Sequence, residues 1–522
     1  MKRSLASVFA LVSLLAFSML QGGFAQLGQS SLTVEWEQHW DTYMVGGTCT
    51  YATHNIHLAD IDGDGETEIA TGGYTYSFEN NTRVNPSAPL KIWSWDGQSL
   101  TLETSYKWPE AAGSASITCV TSGDLNRDSV VSLLTGGAMT NTSGNYAQLR
   151  IWLWDGVNLT LKTSKEWNNT KGTSSVSAVV VADADADGQM EIFSGGRARN
   201  AENNQTDAQL CVWRLNRTIN ELTLLKSTEW HEGEAASVIS LCTADLDDDG
   251  GTEIVTAGYN HELANSSGQS RIWQWRGGEL SLEANHEWRT VENAYALTSA
   301  GGVQGNTVVN NVKAGDVDGD GVPEIVTGGF TYDGEKVRGQ LCIWNWTGQE
   351  IALETGSTWT SEAITEAKAI TLNDVDGDGS VDIVASGVTA SQNSFTENAT
   401  VKEMAQLNVW TWNGSALVLK ESTEWTVGDG VCAWNVASGD VDKDGTVEIV
   451  TVGCMYVTNM CDPDMRIWSI AESEPSPTAP PTSQPTSRDW QTELILAAVG
   501  SVAVIGLAAG YLFMKKRTQK GS

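Results

Sequence analysis

Residues Gly315–Gly329 read GDVDGDGVPEIVTGG, and the fold follows from how that stretch is parsed. Carboxylates alternate at Asp316, Asp318 and Asp320, Gly321 permits a sharp turn, and a fourth acid stands at Glu324. Val317 and Ile325 bracket the acids with apolar side chains that pin both ends of the loop into a core. A hard divalent cation takes about six to eight oxygens at about 2.3–2.6 Å, and alternate residues of a tight loop can aim their oxygens at one point. The stretch reads as a calcium loop. It is not an EF-hand, which needs flanking helices and a closing Glu in twelfth place. Here the last acid is ninth, and EIVTGG, β-branched and ending in glycine, reads as a strand.

The pattern recurs along the chain: DIDGDGETE at Asp60–Glu68, DADADGQME at Asp183–Glu191, DLDDDGGTE at Asp245–Glu253, DVDGDGSVD at Asp374–Asp382 and DVDKDGTVE at Asp440–Glu448. One acidic turn alone is most simply a solvated loop; six intact copies are not. A seventh, DLNRDSVVS at Asp124–Ser132, has Ser129 for the glycine and Ser132 for the closing acid, and reads as a copy that has lost its metal. The first aspartates fall at 60, 124, 183, 245, 316, 374 and 440. That spacing suits a four-stranded propeller blade.

Each repeat has four strand-like parts, exemplified by SVSAVVVA (Ser175–Ala182), EIVTGG, QLRIWLWDG (Gln148–Gly156) and LTLKTSKEW (Leu159–Trp167). Asp96-Gly97, Asp155-Gly156 and Asn413-Gly414 mark hairpins between the third and fourth parts. Nearly all of the 22 tryptophans stand in the third part, as IWxW, or at the end of the fourth. Repetition at fixed places favours packing between sheets over sugar stacking. The seventh repeat stops after RIWSI (Arg466–Ile470), whereas LTVEWEQHW (Leu32–Trp40) matches a fourth strand. The expectation is an all-β, seven-bladed β-propeller over residues 31–470, closed by its N-terminal strand, which leaves no sheet edge free.

The flanks point to a membrane. Lys2 and Arg3 precede an apolar run and small residues, so residues 1–25 read as a signal peptide. Proline, serine and threonine dominate a stalk at 471–493. Leu494–Met514 carries no charge and, at about 1.5 Å per residue, is long enough for a transmembrane helix. Lys515, Lys516, Arg517 and Lys520 then place residues 515–522 in the cytoplasm, so the bulk of the chain is expected outside the cell. The net charge of −34 argues against nucleic acid or an anionic membrane surface as partner. Sequons such as Asn80 and Asn141 are glycan acceptors if the host glycosylates. Among eight cysteines, Cys454 and Cys461 flank a short loop and are the first choice for a disulfide. Cys49 with Cys432 is a second, and Cys211 and Cys342 look like core strand residues.

The D-x-D-x-D-G-x-x-[DE] loops and the seven-fold repeat resemble the FG-GAP/VCBS repeats of the integrin α-subunit N-terminal β-propeller. TGG stands where that family's name implies Phe-Gly and Gly-Ala-Pro, and no inserted adhesion domain is present. The resemblance implies Ca2+ at about six sites on the lower rim. Its ligands would be Asp60, Asp62, Asp64 and Glu68; Asp183, Asp185, Asp187 and Glu191; and Asp245, Asp247, Asp249 and Glu253. The remaining sets would be Asp316, Asp318, Asp320 and Glu324; Asp374, Asp376, Asp378 and Asp382; and Asp440, Asp442, Asp444 and Glu448. It also implies an upper face that binds an extracellular protein or glycan.

Two functional classes follow: a calcium-stabilised surface ectodomain for adhesion or recognition, or an extracellular polysaccharide-acting or quinone-dependent enzyme on the same scaffold. No nucleophile–base pair stands out, and His54 and His57 on the first inner strand read as structural, which favours binding. A ligand would meet the rim whose loops vary most, including Tyr74–Pro89, Arg289–Thr307 and Val388–Ala405. Tyr74, Tyr259 and Phe330 after the strand glycines, with Tyr332 and Tyr295, are the residues expected at its mouth.

Overall fold

A computed structural model describes residues 31–39 and 49–470, apart from 80–81, 110–112, 169–171, 201, 204, 217, 263–264, 290–305, 392–402 and 458–459. Among the described residues the fold is all β. Strand β1 (Leu32–His39) is followed by repeat 1: β2 (Cys49–Ala59), β3 (Glu68–Glu79), β4 (Thr82–Trp95) and β5 (Leu100–Trp108). Strands β6–β9 (Ser114–Trp167), β10–β13 (Gly172–Trp230) and β14–β17 (Ala235–Trp288) form repeats 2 to 4. Repeat 5 comprises β18 (Thr307–Gly315), β19 (Glu324–Tyr332), β20 (Val337–Trp346) and β21 (Ile351–Trp359). Repeat 6 comprises β22 (Ile364–Asn373), β23 (Asp382–Ala390), β24 (Glu403–Trp412) and β25 (Leu417–Trp425). Repeat 7 has β26 (Gly430–Gly439), β27 (Glu448–Val457) and β28 (Met460–Ile470), with β1 paired antiparallel to β28 from Leu32↔Ile470 to His39↔Asp464.

Each repeat is an antiparallel meander. The glycine pair that ends EIVTGG is a packing requirement. The first strand bulges opposite the pair, and a Cβ at Gly329 would lie 2.0 Å from the Val308 carbonyl oxygen. Third strands are buried almost end to end, as a sheet covered on both faces requires.

The tryptophans couple one repeat to the next. At the end of β21, Trp359 packs against Trp410 of repeat 6, the rings inclined at 50° with centroids 5.3 Å apart, and its Nε1–H donates to Gln406 Oε1 at 2.7 Å. The same pair of contacts joins Trp108 to Trp152 and Gln148, Trp167 to Trp213 and Gln209, Trp230 to Trp273 and Gln269, and Trp288 to Trp344 and Gln340. Between repeats 6 and 7 Trp425 packs tilted against Trp468 and donates to Asp464. Each ring thus fills the neighbouring sheet while its one polar atom is satisfied, which is the packing role expected from the repetition. Trp288→Ala is expected to destabilise by about 3–5 kcal/mol, since it opens a cavity and orphans Gln340. A urea melt followed by tryptophan fluorescence measures it.

Repeats 1 and 7 share a core in which Ile56, Ile69, Trp93 and Trp95 pack with Val441, Val450, Met465 and Ile467, and Trp36 of β1 lies against it. Among the described residues no helix is long and apolar enough to cross a membrane. Residues 1–25 and 471–522, which include the expected signal, stalk and transmembrane segment, lie outside the described residues.

One cysteine expectation is corrected. Cys432 is a buried free thiol, so it does not pair with Cys49. The residue directly across the ladder from it, Cys454, is the one in a disulfide. The side chain of Cys461 lies outside the description. Cys211 and Cys342 are buried free thiols, as core strand residues should be.

Candidate metal centres

The first-to-second-strand loops of repeats 1, 3, 4, 5 and 7 close on an acid that turns back to accept a backbone N–H. In repeat 5, Asp316 accepts from Gly319 N–H at 2.7 Å and Gly321 N–H at 2.9 Å, Asp318 from Asp320 N–H at 3.0 Å, and Asp320 from Val322 N–H at 2.8 Å. Glu324 opens the second strand, 3 % exposed, and turns back to accept from Val317 N–H at 3.0 Å. Val317 is buried, as its bracketing position in the sequence implies. Repeat 1 reproduces the frame through Asp60, Asp62, Asp64 and Glu68, and repeat 7 through Asp440, Asp442, Asp444 and Glu448. Backbone N–H groups thereby orient every carboxylate of these loops, both oxygens of the first aspartate in repeats 1 and 5 included.

Convergence is direct. Carboxylate oxygens of Asp60, Asp62 and Glu68 lie within 4.8 Å of one another, as do those of Asp183, Asp185 and Glu191; Asp245, Asp247 and Glu253; Asp316, Asp318 and Asp320; and Asp374, Asp376 and Asp382. The donors are all oxygens, the set a hard cation takes. In repeat 4 the fit is marked by Glu253, which is 2 % exposed: Oε2 accepts from Leu246 N–H at 3.0 Å, while Oε1 is buried without a directed hydrogen bond. Such an oxygen is costly unless a cation or donor meets it. The residues therefore fit a calcium ion, which would cross-link the first and second strands of each repeat it entered.

Burial without compensation shows in the closing acids. It pushes Glu68, Glu324 and Glu448 up to about 7; the backbone N–H each accepts opposes the shift, and the neighbouring carboxylates add to it. Repeats 3 and 6 differ, because a basic side chain enters the loop. Lys420 Nζ sits 2.8 Å from Asp376, 2.9 Å from Asp378 and 3.0 Å from the fully buried Asp382, whose carboxyl burial still lifts to about 6. Arg214 pairs with the fully buried Glu191 and, at 3.3 Å, with Asp187. In repeat 4, Arg276 meets only the exposed Asp249 at 2.6 Å.

The seventh loop keeps the turn but not the donors. Ser129 adopts φ 65° in the glycine position and donates its N–H to Asp124 at 2.8 Å, yet Ser132 replaces the closing carboxylate. Arg127 of that loop reaches across to Asp183 of repeat 3.

The loops share their rim with the hairpins of the neighbouring repeat. A Cβ on Gly156, whose φ is 80°, would lie 2.7 Å from Asp62 Oδ2, and one on Gly97 would lie 2.8 Å from Asp442 Oδ2. Glycine at these turns therefore serves both the positive φ and the close approach. Tyr74, Tyr259 and Phe330 occupy one register position in repeats 1, 4 and 5, all half-buried. Tyr74 stacks on Tyr76 with centroids 5.9 Å apart and packs on Cys454, and Tyr332 donates its hydroxyl to the Gly334 carbonyl at 2.9 Å. Tyr295 lies outside the described residues. His57 bonds Ser122 Oγ of repeat 2 at 2.8 Å and is pushed down to about 4 by burial and by Lys313, so it is a neutral strut.

Reasoning from sequence missed Lys420, Arg214 and Glu354, the last with a buried Oε2 that lacks a directed hydrogen bond beside the repeat 5 loop. The only available signal was position: Lys420 and Glu354 each follow Leu in the fourth-strand motif.

Residues 374–451 match the FG-GAP-like repeat family, a span that runs from the loop of repeat 6 into the second strand of repeat 7. No curated protein matches the sequence. Among solved structures, Sqt1 from Chaetomium thermophilum is similar at 12 % identity over 81 % of this chain and 98 % of that one. Its TM-score is 0.42, and at that overlap the likeness carries no argument here. The eight-residue loop and the strands of the matched span recur in the other repeats, so the FG-GAP-like match, made over residues 374–451, falls in a unit that the chain repeats.

Proposed function

We propose that this chain is a calcium-stabilised, seven-bladed propeller ectodomain, closed by β1, that recognises an extracellular protein or glycan on the rim opposite its metal loops. In this reading residues 494–514 anchor it in a membrane with the strands outside the cell. The observation that carries the proposal is the contrast between the two rims. Each of the seven first-to-second-strand connections is eight residues long, and the hairpins beside them are two to four. On the other rim, connections run from two residues between Glu79 and Thr82 to 12 between Ala390 and Glu403 and 18 between Trp288 and Thr307. One rim is constant in length, and the other varies on a rigid frame, which is where recognition resides.

The test probes protein and glycan arrays with the full chain in calcium, then compares Tyr332→Ala and Tyr295→Ala with hairpin variants at Asp155 and Asn413. Loss of binding is expected from the tyrosine variants. Loss from the hairpin variants alone, with folding intact, would move the site to the metal rim and refute the assignment.

A further inference from the structure

In every repeat the fourth strand carries one extra residue opposite the tryptophan of the third, a bulge that turns its side chain out of the ladder. The extra residue is Lys420 in repeat 6, Glu354 in repeat 5, Glu35 in repeat 7 and Leu225 in repeat 3. In repeat 6 the bulge aims Lys420 Nζ into its own loop, where it lies within 3.0 Å of three carboxylates. In repeat 3 the bulge offers only leucine, and the cation comes instead from Arg214 between Trp213 and Leu215 of the third strand. In both repeats the basic group meets the closing acid, whose side chain is fully buried. Arg276 of repeat 4 does not: it touches the exposed Asp249 and leaves Glu253 alone. Glu354, at the position of Lys420, instead adds a carboxylate beside Asp318 and Asp320.

We propose that Lys420 and Arg214 are resident counter-ions that take the place of the metal in repeats 6 and 3, and that a basic side chain reaching the closing acid, from the fourth-strand bulge or from the third strand, decides which loops hold calcium. The inference rests on the calcium reading above. An ammonium held by three carboxylates must be expelled, and left to find other partners, before a divalent ion can enter; a glutamate at the same position raises the site's charge and lends it an oxygen. Metal binding is thereby confined to repeats 1, 4, 5 and 7, whose closing acids have no such partner.

The test measures calcium bound to the full chain by equilibrium dialysis, and thermal melts in chelator, for wild type, Lys420→Gln and Glu354→Lys. Wild type should bind one equivalent for each of repeats 1, 4, 5 and 7, Lys420→Gln one more, and Glu354→Lys one fewer. In chelator Lys420→Gln should melt several degrees below wild type, because Asp382 is left buried and unpaired, and Glu354→Lys should melt no lower. Six equivalents in wild type, or an unchanged count in Lys420→Gln, would overturn the inference. Should wild type bind no calcium at all, the calcium reading fails, and the chelator melt alone decides: Lys420→Gln melting like wild type overturns the resident counter-ion as well.

Discussion

A chain that begins at Gly46, without Leu32–Trp40, is expected to aggregate or misfold. Strand β1 is the fourth strand of repeat 7, and its loss exposes the whole hydrogen-bonding edge of β28. It also removes Glu37 from the buried Arg466, the Ser31 N–H and hydroxyl from Glu421 at 3.1 and 2.8 Å, and Trp36 from Trp95, 6.2 Å between centroids. Arg466 would be left buried over Trp425 with Asp464 as its remaining carboxylate. Whole domains are stable by only about 5–15 kcal/mol, and a lost edge strand plus a half-broken buried ion pair is of that order. Size-exclusion chromatography and near-ultraviolet circular dichroism of the tryptophans measure the outcome. A monomer that melts with the intact chain would show that β1 does not close the fold.

Stripping calcium is expected to lower the melting temperature, and to lower it more at pH 8 than at pH 5. Glu68, Glu324 and Glu448 are lifted from the usual value of 4.5 to about 7 in the folded, metal-free chain. Between those values the folded chain holds protons on these three acids that the unfolded chain has lost, so their contribution to metal-free stability is full below about pH 4.5 and is lost as pH rises through about 7. Calcium takes the deprotonated acids and offsets that loss. Tenfold excess over the dissociation constant contributes roughly 1.4 kcal/mol per site, so several sites together shift the melt by many degrees. Asp318→Ala should reproduce part of the loss, whereas Asp128→Ala, in the loop that lacks its closing acid, should behave as a surface change of about 0.5 kcal/mol or less. Melts that coincide with and without chelator at both pH values would refute the stabilising role.

The repeat was legible because its signals are local. Alternating aspartates, a glycine at the turn, a β-branched strand and a D-G hairpin are each set by a few adjacent residues, and the structure places them as loop, strand and turn. The tryptophans were legible as packing because they recur at fixed register, although their Gln partners in the next repeat are about 40 to 52 residues away and left no local trace. Lys420 and Arg214 were missed for a related reason. For Lys420, a bulge changes the face on which the residue stands, and alternation counted along the strand does not reveal it; Arg214 stands in regular register, and its partners Asp187 and Glu191 lie 23 to 27 residues back in the chain. Among the cysteines only the second-choice pair of Cys49 with Cys432 was misread: Cys432 and Cys454 face each other across one ladder, and it is Cys454, from the first-choice pair, that is bridged.

Crystals grown in calcium and measured at a wavelength where calcium scatters anomalously test the account most directly. Peaks are expected amid Asp60, Asp62, Asp64 and Glu68, amid Asp316, Asp318, Asp320 and Glu324, and at the matching places in repeats 4 and 7, with none beside Asp124. Water alone in all of these loops, in crystals that still hold the strands as described, would contradict it.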